Sequence, residues 1–349
     1  MDEIQKQIKL LQNKLKDFVK NDNTIKNLVL SGGSSKGFSY VGVIKALEEF
    51  RIINTLEEIT GASIGCIFGL FIILKFNSDD LINIFIKMNL NWLHNINSDS
   101  ILHLINKYGL DNGSNAEKFI ASFIEVRFPN KTPFEISFID LWNYNPIKFN
   151  LIGTKVYTGI LETEIYNHVL TPNMSVIKAL RITFSIPPLF SPIDGDSCHL
   201  VDGGITNNYP IDLYDNNENI LENTLGILCM EKIKKEKCQN VVDIYKSIVG
   251  HLVAKDTLKK KEKYSDQTVI IEVNLELYQI FNLTTEDKIN VINLGYQLTK
   301  QFLLLKKFNP SDTTIKETFS IDNKINVDSF INKLESVIGK KNQIPEKSN

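Results

Sequence analysis

The feature that most constrains the fold is a glycine-rich turn between an apolar run and a helical pattern, used twice within the first 74 residues. In the first unit, Leu28-Val29-Leu30 runs into Ser31-Gly32-Gly33-Ser34-Ser35-Lys36-Gly37. Tyr40, Val43, Ile44, Leu47 and Phe50 then recur at helical spacing, with Lys45, Glu48 and Glu49 on the polar side. In the second, Ile59-Thr60 leads into Gly61-Ala62-Ser63-Ile64-Gly65 and an apolar run ending at Leu74. That run is too short for a bilayer, which needs about 20 residues, and is expected as a buried helix. Two strand–turn–helix units predict an α/β fold.

The later pattern continues this. Residues 79–128 are helical in pattern with a break at YGLDNGSN, 147–160 alternate as strands, and 175–184 return to helical spacing. Short strands are expected at 200–201, 225–230 and 268–273, and a long helix over 284–305 with Thr284 as its N-cap. Four segments result: an amphipathic helix within 1–24, a catalytic domain over 25–215, strands and helices completing it over 216–310, and a polar tail over 311–349. The first rests on Ile4, Ile8, Leu11, Leu15 and Phe18.

Charge narrows the partners. The net charge is −2, and Arg51, Arg127 and Arg181 are the only arginines, which argues against nucleic acid. Cys66, Cys198, Cys229 and Cys238 form no C-x-x-C pair, so a reducing compartment without a zinc site is expected. The start, with charges between its apolar residues, does not resemble a signal peptide. The expected location is the cytoplasm or a host-cell interior, with peripheral membrane contact allowed.

Three motifs carry the chemistry. Gly61-Ala62-Ser63-Ile64-Gly65 matches the G-x-S-x-G nucleophile elbow, in which flanking glycines let backbone crowd a serine held on a sharp turn. The 32–37 loop fails the Walker A spacing, and Ser34 replaces the second glycine of a dinucleotide fingerprint. Backbone N–H groups at a helix start then remain, suited to a fixed anion or to a transient oxyanion. Asp202-Gly203-Gly204 places a carboxylate at a strand end. His199 or His251 would serve a Ser–His–Asp arrangement, but neither lies in a glycine-flanked loop, and Asp202 is the better-placed base.

Together these motifs resemble the patatin-like phospholipase family. LVLSGGSSKGFSYVGVIKALEE is similar to its oxyanion segment, GASIG to its elbow, and LVDGGITNNYP to its Asp-Gly-Gly segment. LIGTKVYTGILET and ALRITFSIPPLFSPI agree as well, so the likeness runs in order from Leu28 to Leu213. The resemblance implies a three-layer α/β/α fold around a mostly parallel sheet. It further implies hydrolysis of acyl esters of phospholipids or other lipids by a Ser–Asp dyad, with no cofactor and no catalytic metal. Ser63 is then the nucleophile and Asp202 the base. Gly32, Gly33 and Ser34 would form the oxyanion hole, with Lys36, Gly37, Gly61, Gly65, Gly203 and Gly204 in support. Ser34 stands where the family usually has glycine. A soluble carboxylesterase or thioesterase, or a degenerate lipid- or protein-binding member, is the alternative. The apolar residues of 76–128, among them Trp92, Leu93, Ile96, Ile101, Leu102 and Leu104, are expected either as a lid that receives acyl chains or as helices covering the sheet.

Overall fold

The computed structural model describes residues 24–97, 99–216, 218–231, 237–238, 241–273, 283–310 and 325–338. The N-terminal helix expected within 1–24 lies outside them.

The strands are β1 (Asn27–Leu30), β2 (Glu58–Ala62), β3 (Lys148–Tyr157), β4 (Ile160–Tyr166), β5 (Ile193–Asp194), β6 (His199–Asp202), β7 (Thr224–Glu231) and β8 (Thr268–Val273). The α-helices are α1 (Ser39–Glu49), α2 (Ile64–Ile73), α3 (Ser78–Lys87), α4 (Ser100–Lys107), α5 (Ser114–Arg127) and α6 (Phe138–Tyr144). They continue as α7 (Val176–Thr183), α8 (Gly204–Asn207), α9 (Glu218–Glu222), α10 (Val241–Lys263), α11 (Thr285–Leu305) and α12 (Val327–Ile338). Thr284 caps α11 with a full capping box to Asp287, as its sequence predicts.

The eight strands of the described residues form one sheet in the order β5-β6-β3-β2-β1-β7-β8, with β4 on β3. The β3-β2-β1-β7-β8 stretch is parallel, while β4, β6 and β5 join antiparallel. Alternation explains the layers. Leu28 and Leu30 enter one apolar cluster and Val29 enters a second, so β1 is buried on both faces. On the first face α1, α2, α3, α5, α7 and α11 supply the main core. On the second, Val29, Tyr209, Ile211, Tyr214, Leu228 and Tyr264 pack together. This is the expected α/β architecture, with its sheet between two covering layers.

Helix α11 crosses α1 at near-backbone distance. A Cβ at Gly42 would collide with the Ile292 carbonyl, and one at Gly295 with the Ser39 carbonyl. Within the stretch expected as a polar tail, 327–338 are instead helical. Phe330, Ile331, Leu334 and Ile338 bury one stripe of α12, a helical repeat hidden by its polar flanks. Among the described residues, no helix is long and apolar enough to cross a membrane.

Candidate active site

The site arises where two strands meet end to end along β3. Residues 148–152 of β3 pair with β2, and its next residues, 153–156, pair with β6. β4 takes the opposite edge, overlapping both. Strand β2 therefore stops at Ala62, beside Ile152, and β6 stops at Asp202, beside Gly153. Ser63 leaves the end of β2 as Asp202 closes β6, so residues 139 apart in sequence become neighbours.

Ser63 has φ 51° and ψ −128°, a conformation that side chains rarely adopt and that turns its Oγ out of the strand–helix corner. The glycines on either side permit the turn. A Cβ at Gly61 would lie 2.7 Å from the Cys66 nitrogen, and one at Gly65 would strike the Leu30 carbonyl, at the end of the neighbouring strand. Ser63 also precedes the first turn of α2, where the helix dipole favours negative charge.

Ser63 Oγ donates to Asp202 Oδ2 at 2.6 Å, and the Gly204 N–H donates to Asp202 Oδ1 at 2.7 Å. Asp202 is only 2% exposed. Burial pushes its carboxyl up to about 7, against the pull of the Ser63 and Gly204 hydrogen bonds. The Asp202 N–H donates to the Ser185 carbonyl at 3.1 Å, which fixes the strand end to the loop after α7. Gly203 is required here, because a Cβ would run into the Ile152 carbonyl.

The glycine-rich loop lies against this pair. A Cβ at Gly32 would be 3.2 Å from Ser63 Cβ, and one at Gly37 would meet the Ile64 side chain. The Gly32 N–H donates to the Asn208 carbonyl at 3.0 Å, so it is already occupied. Neither the Gly33 nor the Ser34 N–H makes a backbone hydrogen bond among the described residues. Gly33 is held against Cys229, whose N–H donates to Ser31 Oγ at 3.0 Å. Lys36 faces Glu231 Oε2 at 3.6 Å, with little of the lysine side chain exposed. The loop cation thus has a carboxylate partner already.

Ser34 has φ 53°, in the left-handed region. This gives a physical reason why glycine would be favoured at a position where this chain carries serine: a Cβ there costs about 1 kcal/mol. Ser34→Gly is expected to raise unfolding stability by roughly 0.5–1 kcal/mol, and Ser34→Val to lower it by about 1–2 kcal/mol. Urea titration reads both.

None of the five histidines takes part in this arrangement. His199 Nδ1 lies 3.2 Å from Asp194 Oδ1 at the far end of β6, and His251 is exposed on α10. His103 bonds the Gly109 carbonyl, and His168 stacks on Trp142.

Sequence reading gave no role to Asn208 or Lys260. Asn208 bridges the glycine-rich loop and the Asp-Gly-Gly turn: its carbonyl holds Gly32, and its Oδ1 packs where side chains at Gly32 or Gly204 would stand. Lys260 is buried and contacts Asn207 Oδ1 at 2.9 Å, Asp212 at 2.7 Å and Asp256 at 2.8 Å, anchoring α8 behind Asp202. The Asn-Asn pair after the glycines was the signal available for the first. A lysine inside a helix gives none for the second.

Several known proteins resemble this chain over most of its length. Residues 28–215 match the family model described as patatin-like phospholipase. A protein of Acanthamoeba polyphaga mimivirus is 26% identical over 295 residues, 81% of this chain and 95% of its own. The protein YqhO of Bacillus subtilis is 26% identical, covering 79% of this chain and 97% of its own. A probable lipid hydrolase of Invertebrate iridescent virus 6 is 25% identical, over 66% and 79% respectively. Among solved structures, VipD from Legionella pneumophila superposes with a TM-score of 0.49 at 18% identity, over 82% of this chain and 67% of that one. ExoU from Pseudomonas aeruginosa gives the same score and identity, over 91% and 59%.

Proposed function

The chain belongs to the patatin-like phospholipase family, and from that premise we propose that it is a lipid acyl hydrolase of phospholipase A type working through a Ser63–Asp202 dyad. The observation that carries the reading is the 2.6 Å hydrogen bond from a strained, glycine-flanked serine to a buried carboxylate.

Ser63 Oγ attacks the ester carbonyl as its proton passes to Asp202 Oδ2. The carbonyl oxygen becomes an oxyanion facing the Gly33 and Ser34 N–H groups, since the Gly32 N–H is turned to Asn208. Each aligned donor contributes roughly 3 kcal/mol to such a transition state. Collapse expels the lipid alcohol, which takes the proton from Asp202. Water then gives a proton to Asp202 and attacks the acyl-serine, releasing the fatty acid and restoring the Ser63 hydroxyl. An ordinary aspartate is too weak a base for this near pH 7. Burial raises Asp202 toward the operating pH, where base catalysis is efficient. The ion pair of Lys36 with Glu231 also favours a transient oxyanion in this loop over a permanently bound phosphate.

The test is turnover of long-chain phospholipid vesicles against short soluble esters, combined with fluorophosphonate labelling. Labelling at Ser63 and loss of turnover by at least about 1,000-fold in Ser63→Ala are expected. Wild-type activity in Ser63→Ala would sink the dyad assignment.

A further inference from the structure

Helix α4 is folded with its apolar side outward. Ile101, Ile105 and Tyr108, spaced by four and three residues, are 66%, 67% and 60% exposed, and Leu102 beside them is 62% exposed. Its neighbours behave oppositely. α3 buries Leu81, Ile84 and Phe85, and α5 buries Phe119, Ile120, Phe123 and Ile124. Of the apolar segment between the elbow and β3, therefore, α3 and α5 cover the core, and among the described residues the outer face of α4 is left exposed. Contiguous exposed apolar surface of this kind marks a contact site.

The patch is tied to the catalytic groups. The residues after α4 pair with the connector that follows α7: the Leu110 N–H donates to Pro188 O at 2.8 Å, and the Asp111 N–H to Leu189 O at 2.9 Å. The same connector begins at Ser185, whose carbonyl holds the Asp202 N–H. The β3–β4 hairpin extends the surface. Beyond Gly153, opposite Asp202, β3 runs four more residues, about 13 Å at strand rise, to a tip where Ile160 and Leu161 are 58% and 52% exposed. Tyr108 packs edge-on against His199 at 5.5 Å, and His199 is cross-strand neighbour to Val156, itself opposite Leu161. Helix face, connector and hairpin tip thus form one rim around the dyad end of the sheet.

We propose that α4 and the β3–β4 tip dock this rim onto the surface of a lipid bilayer, turning the mouth of the site toward its substrate. This rests on the lipid-hydrolase reading, because an enzyme acting on membrane lipid must meet it at an interface. Charge argues for apolar insertion over attraction to anionic lipid. Lys155 is paired with Glu164 at 2.7 Å, Glu162 stands opposite it on the hairpin, and Asp194 is exposed on β5, so these carboxylates offset the cations Lys107 and Lys155 and the rim carries no cationic excess.

The experiment uses the full chain with Ser63→Ala, so that lipid is not consumed, and measures co-sedimentation with large unilamellar phosphatidylcholine vesicles. Adding Ile101→Ser and Ile105→Ser is expected to weaken partitioning about 100-fold, and Ile160→Ser with Leu161→Ser roughly tenfold or more. All four positions are exposed. With Ser63 intact, the same changes should leave turnover of a soluble butyrate ester within about twofold while vesicle hydrolysis falls with binding. Partitioning as strong as the parent's in both pairs overturns the proposal. So does binding that appears only when anionic lipid is added, or a dimer that the Ile101 and Ile105 changes dissolve while vesicle binding persists. Partitioning is read without turnover, so its result is separate from that of the esterase test.

Discussion

Asp202→Asn is expected to lower ester turnover about 1,000-fold while leaving the fold intact. The amide has the shape of the carboxylate and its oxygen can still accept the Gly204 N–H, the contact that orients Asp202 in the native site. Its NH2 then faces Ser63 Oγ, where the carboxylate accepts a proton, so the serine loses its base and keeps its position. A strained elbow survives in this variant, as do the Gly33 and Ser34 N–H groups, which make no backbone hydrogen bond among the described residues, so residual activity above the uncatalysed rate is expected. Turnover of a soluble ester with matched circular dichroism separates this from unfolding. Activity near that of the parent would remove Asp202 from the mechanism.

The same residue sets the pH dependence. In the proposed dyad Asp202 would act as base only when ionised, and burial places its carboxyl at about 7. Then kcat/KM should rise tenfold per pH unit below about 7 and level off above it. Stability runs the other way. An aspartate whose folded value is raised holds its proton in the folded state and releases it in the unfolded one, so unfolding becomes easier as pH rises from about 4 to about 7. Between pH 5 and pH 8 this amounts to roughly 3 kcal/mol at 1.36 kcal/mol per pH unit. Asp202→Asn escapes that loss. Its advantage in urea midpoint over the parent should widen from pH 5 to pH 8, the signature of a base held ready in a dry site at a cost to the fold.

The elbow, the glycine loop and the Asp-Gly-Gly turn were legible in the sequence because each is a short, local demand on backbone geometry. Ser63 in its left-handed corner and Gly65 under the Leu30 carbonyl are written in five residues. Ser34 was legible too, as the one residue at odds with its loop, and its φ of 53° gives the reason. What the sequence could not show is where distant segments cross. The head-to-head meeting of β2 and β6 along β3 depends on register, and two strands of four or five residues carry too little pattern to specify a partner. Asn208 over Gly32, Lys260 behind α8, and Gly42 against α11 are likewise long-range contacts without local periodicity. Periodicity did show residues 79–128 as helical, with Ile101, Leu102 and Leu104 among their apolar positions. It could not say that the apolar side would face out, because that depends on whether neighbouring helices leave room in the core.

A paired glycine experiment tests how tightly this geometry is built. Gly65→Ala is expected to cost about 3 kcal/mol or more and to abolish activity, although one methyl group is the smallest possible addition. The added Cβ would collide with the Leu30 carbonyl and approach the Ser31 carbonyl at 2.8 Å. Those atoms cannot retreat. Leu30 is the last paired residue of β1, bound between β2 and β7, and Ser31 Oγ and carbonyl hold Cys229 and Tyr40. The strain must instead displace the start of α2, and Ser63 is the residue immediately before that helix. Gly250→Ala is the control: it lies in α10, exposed, with nothing within 4 Å of a new Cβ. There the alanine should stabilise by roughly 0.5–1 kcal/mol, through helix propensity alone. Urea unfolding of the two variants should therefore move in opposite directions, and a tolerated Gly65→Ala would mean that the elbow has slack the geometry denies.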